Sequence, residues 1–334
     1  MSDVSCPPEH LLDVLRGTPL VDHHAHGILR AAPTLDEFRG LFSESDDPRQ
    51  WPHVAHALTY RRAMAELGAF FGVDGEEDAV YAFRSSSNHK EYAAGLLRAT
   101  GTEILLVDDG FPPTDVGTTW QELADLAGCP ARPILRLETR GDRAAAETAT
   151  ARENGFVALK TIAAYRGGLD RVSEHVVAAL EANEATGAPL PVQVHCGFGD
   201  ADLHLPRADP GHLKPLIERF AETPFVLLHC YPFVREAGWL AHVYGNVWFD
   251  LSLTIPHVSR PAEAVREALE LAPVSKLLYA SDAARTPELY FLAARRWREA
   301  LAEVLSEALP AGQAEQAGRM ILRENALGLY GLAA

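Results

Sequence analysis

Pro191-Val-Gln-Val-His-Cys196 and Phe225-Val-Leu-Leu-His-Cys230 are two apolar runs that end alike and flank one helical stretch, Asp209–Ala221. A short, continuously apolar run is what a strand covered on both faces requires. Strand, helix and strand in that order make a parallel unit. The pattern recurs in Leu20–His26, Ile104–Gly110, Pro133–Glu138, Val157–Ile162, Val247–Leu253 and Leu277–Asp282, which brings the count of runs to eight. Asp142–Asn154, Gly168–Thr186 and Ala262–Leu271 read as helices between them. Eight βα units in 334 residues predict an α/β fold, a TIM (β/α)8 barrel. No linker or break in composition divides the chain, so residues 1–334 read as a single domain.

One connection breaks the rhythm. About 77 residues separate the first run from the second, far more than a βα loop needs. The barrel therefore carries a helical insertion after strand 1, at about residues 30–100, within which Trp51–Phe71 reads as one amphipathic helix. An insertion that follows a barrel strand lies at the C-terminal mouth, where barrel enzymes bind substrate, so it reads as a cap. Packing against neighbouring helices or a second subunit is the alternative.

Composition narrows the function classes. The chain is 47% hydrophobic and 23% charged, as folded globular proteins are, and its net charge of −16 contains no basic block. Nucleic acid and anionic membrane are therefore not expected as partners. No apolar run reaches membrane-spanning length and the N-terminus lacks a basic-then-apolar signal, which predicts a cytoplasmic protein. Cys6, Cys129, Cys196 and Cys230 show no CxxC spacing, so neither a disulfide framework nor a thiolate zinc site is expected. A homo-oligomer is compatible with all of this, and the sequence leaves that state open.

The strand ends carry the chemistry. In Asp22-His23-His24-Ala25-His26, alternation sends His24 and His26 to one face, where two imidazoles can share a metal ion. His23 then points the other way, as a packing or supporting residue. Strand 4 carries Lys160, strands 5 and 6 carry His195 and His229, and strand 8 ends in Asp282. Such groups are costly to bury without partners, and a shared divalent ion supplies one for most of them. Cys196 and Cys230 follow two of these histidines and alternate away from the barrel centre, as packing residues do.

This set, His-x-His on strand 1, Lys on strand 4, His on strands 5 and 6 and Asp on strand 8, resembles the amidohydrolase superfamily of metal-dependent hydrolases. More narrowly, the chain resembles the amidohydrolase part of nodulin-type and fungal proteins fused to a glutamine-synthetase-like domain. The matching stretches are residues 105–110, 159–169, 195–202, 229–238, 279–283 and 321–330, and the likeness spans nearly the whole chain. It implies that His24, His26, His195 and Asp282 hold one or two divalent ions, most plausibly Zn2+, a metal that suits a nitrogen and oxygen donor set. It further implies catalytic roles for Asp282, His229 and Lys160. Asp282 would be the general base toward a metal-activated hydroxide, and His229 would ligate a second ion or polarise the substrate carbonyl. Lys160 would be either a carbamate bridging two metals or a charged group that holds substrate.

The reaction expected is cleavage of a C–N (amide) bond in a small molecule, with a γ-glutamyl amide or similar carboxylate-bearing compound as the attractive substrate class. Arg166 and Tyr165 after strand 4, and Arg61 and Arg62 in the cap helix, are candidates to bind that carboxylate. His257 after strand 7 and Asp200 after strand 5 lie on the correct face for substrate contact. His53 and His56 are one helical turn apart, but an exposed helix face explains them as well. Two alternatives stand: a non-hydrolytic metal-dependent decarboxylase of the same superfamily, and an inactive barrel that serves as a binding protein.

Overall fold

The computed structural model describes residues 8–333; Cys6 and the N-terminal residues read for a signal lie outside the described residues. Eight parallel strands follow one another around a single sheet: β1 Leu20–Ala25, β2 Thr102–Asp108, β3 Ala131–Arg136, β4 Ala158–Thr161, β5 Val192–Cys196, β6 Phe225–His229, β7 Val247–Asp250 and β8 Leu277–Leu278. Each pairs in parallel with its neighbour in chain order, as a TIM barrel requires, with register shifts in β1 at Leu20/Val21 and between Asp22 and Ala25. Backbone hydrogen bonds from Asp282 N to His24 O (2.9 Å) and from His26 N to Ala283 O (3.0 Å) tie the segment after β8 back to β1.

Strand alternation sorts the core into two parts. Leu20, Leu135, Leu159, Val192, Val194, Phe225, Leu227 and Phe249 face the surrounding helices, and Val21, Ile104, Leu106, Ile134, Val226 and Leu228 belong to a separate cluster with Ala326 and Tyr330 of the C-terminal helix. Cys196 and Cys230 are fully buried in the helix-facing part, Cys196 by strand alternation and Cys230 because positive φ at His229 and Cys230 breaks the alternation of β6. Among the described residues the cysteines are free. No helix among them is long and apolar enough to cross a membrane.

The insertion differs from its sequence reading in one respect. The stretch Trp51–Phe71 is two helices, Trp51–Val54 and Leu58–Phe71, because Ala57 takes an extended backbone (φ −70°, ψ 138°). Together with the helices Leu35–Gly40, Glu77–Ser86 and His89–Ala99, they build a small core of their own around Phe38, Tyr60, Met64, Leu67 and Val80. That core closes on Phe291 and Leu292 of the long helix Pro287–Ala308. A buried ion pair between Arg84 and Glu288 (2.6 Å) fastens the two units. Only the segment around Leu41, Glu44 and Asp46 reaches the barrel mouth.

Candidate active site

A cavity of about 420 Å³ opens at the C-terminal ends of the strands. His26, Lys160, His195, His229 and Asp282 line it, and His24 lies directly beneath. The backbone is bent hard here: His229, Cys230, Asp282 and Arg285 all have positive φ (68°, 65°, 47° and 65°) although none is glycine. Such conformations persist only where the surroundings hold them, and they gather at functional sites. At His229 the bend has a visible purpose. Val226 and Leu228 share one face of β6, so strict alternation would send His229 to the other; the left-handed turn brings it to the cavity instead. Thr254 Oγ1 donates to the His229 carbonyl (2.6 Å) and Asp250 Oδ1 accepts from its N–H (2.7 Å), which fixes the turn.

His24 Nε2 and His26 Nε2 converge on a single oxygen, Asp282 Oδ1, at 3.0 and 3.1 Å, and His229 Nδ1 is 3.6 Å from Oδ2. The proton on His24 can be placed from its neighbours. The Gln193 side-chain Nε2 donates to the His23 carbonyl (2.7 Å), so its Oε1 must be the atom facing His24 Nδ1 at 2.7 Å. His24 Nδ1 is then the donor. Burial, then the Lys160 charge, pulls the His24 pKa down to about 4, so the ring is neutral and its Nε2 is a bare lone pair. That lone pair, 3.4 Å from Lys160 Nζ, also faces the carboxylate oxygen Asp282 Oδ1 at 3.0 Å, a repulsive approach that a cation between them would relieve.

The neighbours fit the same cation. The Ser252 hydroxyl donates to Asp250 Oδ1 (2.7 Å) and so accepts from His229 Nδ1 (2.7 Å), leaving His229 Nε2 without a proton. Burial holds His229 and His195 well below the ordinary histidine range, and His195 Nε2 is buried with no hydrogen-bond partner. Burial alone would raise the Asp282 carboxyl; positive charge in the cluster, which His229 and His24 supply when protonated and a bound cation would supply in their place, holds it well below the ordinary carboxylate range. Two groups of donor atoms, His24–His229–Asp282 and His24–His26–Asp108, each lie within 4.8 Å of one another. Neutral imidazoles and carboxylates held this way are a divalent-metal donor set.

Lys160 is buried with its Nζ 3.4 Å from His24 Nε2, and desolvation lowers its pKa to about 8. Tyr165 packs at a tilt against His195 (centroids 4.7 Å apart, planes at 56°); a side chain at Gly199 would collide with its hydroxyl. Arg166 and Asp200 also line the cavity, Arg166 from its exposed rim.

Three expected substrate contacts fall elsewhere. Arg61 is exposed and turns to the Ala55 carbonyl, while Arg62 is held by Glu66 and Glu299 at 2.7 and 2.8 Å. His257 hydrogen-bonds its own helix at Leu253 O and lines a separate groove with Leu58 and Phe198. The break at Ala57 and the docking of Leu58–Phe71 on the helix Pro287–Ala308 account for the two arginines. His53 and His56 are exposed. His23 does not turn away from the site: its ring pairs with Asp250 (2.9 Å) and stacks on Tyr330, and its carbonyl orients the Gln193 that holds His24.

Sequence reading passed over Gln193, Asp108, Arg136 and Glu44. Asp108 and Arg136 end β2 and β3, the same strand-end position that marked the histidines. Glu44 comes from the insertion and lines the mouth, where burial, then Asp282, raises its pKa to about 7.

Residues 118–332, from before β3 to the C-terminal helix, match the family model described as Amidohydrolase. The chain belongs to the amidohydrolase family. This amidohydrolase is 29% identical to Protein fluG of Emericella nidulans over 96% of its own length, and it spans about half (47%) of that curated relative. A crystal structure from Lactobacillus casei assigned as a metal-dependent hydrolase superposes with a TM-score of 0.85 at 27% identity, covering 96% of this chain and 97% of that one. Uronate isomerase from Thermotoga maritima shares the fold at a TM-score of 0.65 and 13% identity, with 97% of each chain covered. The family and the donor set together support a divalent metal ion in this amidohydrolase.

Proposed function

We propose that this amidohydrolase is a hydrolase that cleaves the C–N bond of a small carboxylate-bearing molecule, with a γ-glutamyl amide as the leading substrate class. The observation that carries the reading is the forced lone pair of His24 Nε2 opposite Asp282 Oδ1, 3.0 Å apart, with His26 Nε2 on the same oxygen. His24, His26, His195 and Asp282 hold the ion, with zinc favoured by their nitrogen and oxygen donors. A divalent ion there supplies Lewis acidity toward a carbonyl oxygen and toward water. Asp282, ionised and at the centre of the cluster, takes a proton at its carboxylate and returns it to the departing amine nitrogen. His229, with its proton on Nδ1 toward Ser252, offers its bare Nε2 as a further donor to the metal site. Lys160, in the cavity wall, stays unmodified and holds substrate. Arg166 and Tyr165 close the substrate side.

The test is a panel of γ-glutamyl amides and of aromatic and enoic acids, given to zinc-loaded protein while released amine and carbon dioxide are both followed. Amine release from a γ-glutamyl amide is expected. Carbon dioxide without amine would move the protein to the decarboxylases, and protein that neither binds zinc nor turns over any compound would be a binding barrel.

A further inference from the structure

Arg136 is a cation built into the cavity wall. Its side chain is only 13% exposed, and Nε and Nη2 grip Asp108 Oδ2 at 2.9 and 2.6 Å. Asp108 is itself fully buried; against the pull of burial, the Arg136 guanidinium keeps it ionised. Gly110 completes the cradle. Its N–H donates to Asp108 Oδ1 (2.9 Å), and a Cβ there would stand 2.5 Å from Arg136 Cδ and 2.7 Å from Nε, so the arginine stem lies where only glycine leaves space. Among the described residues Arg136 Nη1 makes no hydrogen bond, and the residue lines the cavity.

The other cations at this mouth are less ready. Lys160 sits against His24, Arg166 is at the exposed rim, and Arg285 faces Ser43 O and Asp46. A guanidinium already fixed by a bidentate partner loses little freedom when it takes a second one. Glu44, Asp46, Asp200, Asp202 and Asp282 also line the cavity, an environment that repels a dianion such as phosphate more than a single carboxylate.

We propose that Arg136, braced by Asp108 and Gly110, is the subsite that receives the substrate carboxylate. The assignment rests on the carboxylate-bearing substrate proposed above and names the residue that selects it. Because Asp108 lies within 4.8 Å of the His24 and His26 donor atoms, the bound carboxylate sits beside the reacting centre and not at the rim.

Calorimetry on zinc-loaded protein tests this with two amides, glutaramate, which ends in a carboxylate, and pentanamide, which ends in a methyl group. Wild type is expected to prefer glutaramate by about tenfold or more, the scale of one charge-assisted contact. In Arg136→Gln the preference should fall below about threefold, scaled from the same contact. Gly110→Ala keeps every charge and only displaces the guanidinium, so it guards against a misfolded Arg136→Gln, which leaves Asp108 unpaired. Equal binding of the two amides by wild type, or an undiminished preference in folded Gly110→Ala, would overturn the assignment, as would tighter binding of inorganic phosphate than of glutaramate. Ammonia release from glutaramate is read separately: Arg136-dependent binding without release of amine from any amide leaves this subsite standing and removes the C–N hydrolase reading.

Discussion

Replacing Gln193 by leucine is expected to weaken zinc binding although Gln193 touches no metal. In the wild type, Gln193 Oε1 accepts the Nδ1 proton of His24 at 2.7 Å, and this keeps the Nε2 lone pair free. With leucine there, His24 is free to carry its proton on Nε2 instead and donate it to Asp282, 3.0 Å away. Zinc must then displace that proton. Loss of such an orienting partner costs about 10–100-fold in metal affinity, or about 1.4–2.7 kcal/mol. The substitution also strips the His23 carbonyl and the Tyr330 hydroxyl of their amide partner (2.7 and 2.9 Å), a stability cost of about 1–3 kcal/mol for a buried group left unpaired. Gln193→Glu separates the two effects. Its carboxylate still accepts from His24 Nδ1 but cannot donate to His23 O, so stability should fall while zinc affinity is kept or raised. Competition against a chromophoric chelator gives the affinities, and urea unfolding gives the stabilities. Wild-type affinity in a folded Gln193→Leu protein would refute the reasoning, and so would a glutamate variant that loses as much affinity as the leucine one.

Asp282→Asn should lower kcat by at least about a hundredfold, the scale of a lost general base, while circular dichroism stays unchanged; near-normal turnover would remove Asp282 from proton transfer. Arg84→Met leaves Glu288 charged and fully buried, and should cost about 3–5 kcal/mol in urea unfolding. A shift under about 1 kcal/mol would show that the insertion does not depend on that pair to dock.

Much of the molecule was legible along the chain because the signals are local. Each barrel strand is a short apolar run, since both of its faces are covered, and all eight were found with starts within two residues, although β7 and β8 stop at Asp250 and Leu278, short of Leu253 and Asp282. The histidines, Lys160 and Asp282 stood out because each interrupts or ends such a run. The insertion was legible as an excess of chain, but its internal break at Ala57 was not, because alanine itself favours helix and its extended backbone here runs against that preference. Arg61 and Arg62 were misplaced for a related reason: helical periodicity tells which residues share a face, not what that face meets.

Gln193 shows the limit most clearly. Between Val192 and Val194 it reads as one polar residue in a buried strand, and its partners His23, His24 and Tyr330 lie 170, 169 and 137 residues away. Asp108 and Arg136 likewise meet only because β2 and β3 are neighbours in the sheet. By itself the sequence determined a barrel with a metal-binding set of side chains at one mouth, since strand pattern and residue chemistry are written locally. Only the tertiary structure decided which nitrogen of His24 keeps its lone pair, which arginine faces the cavity and where the insertion leans. Those depend on contacts between strands distant in the chain, and on left-handed turns at His229 and Asp282 that no local preference would select.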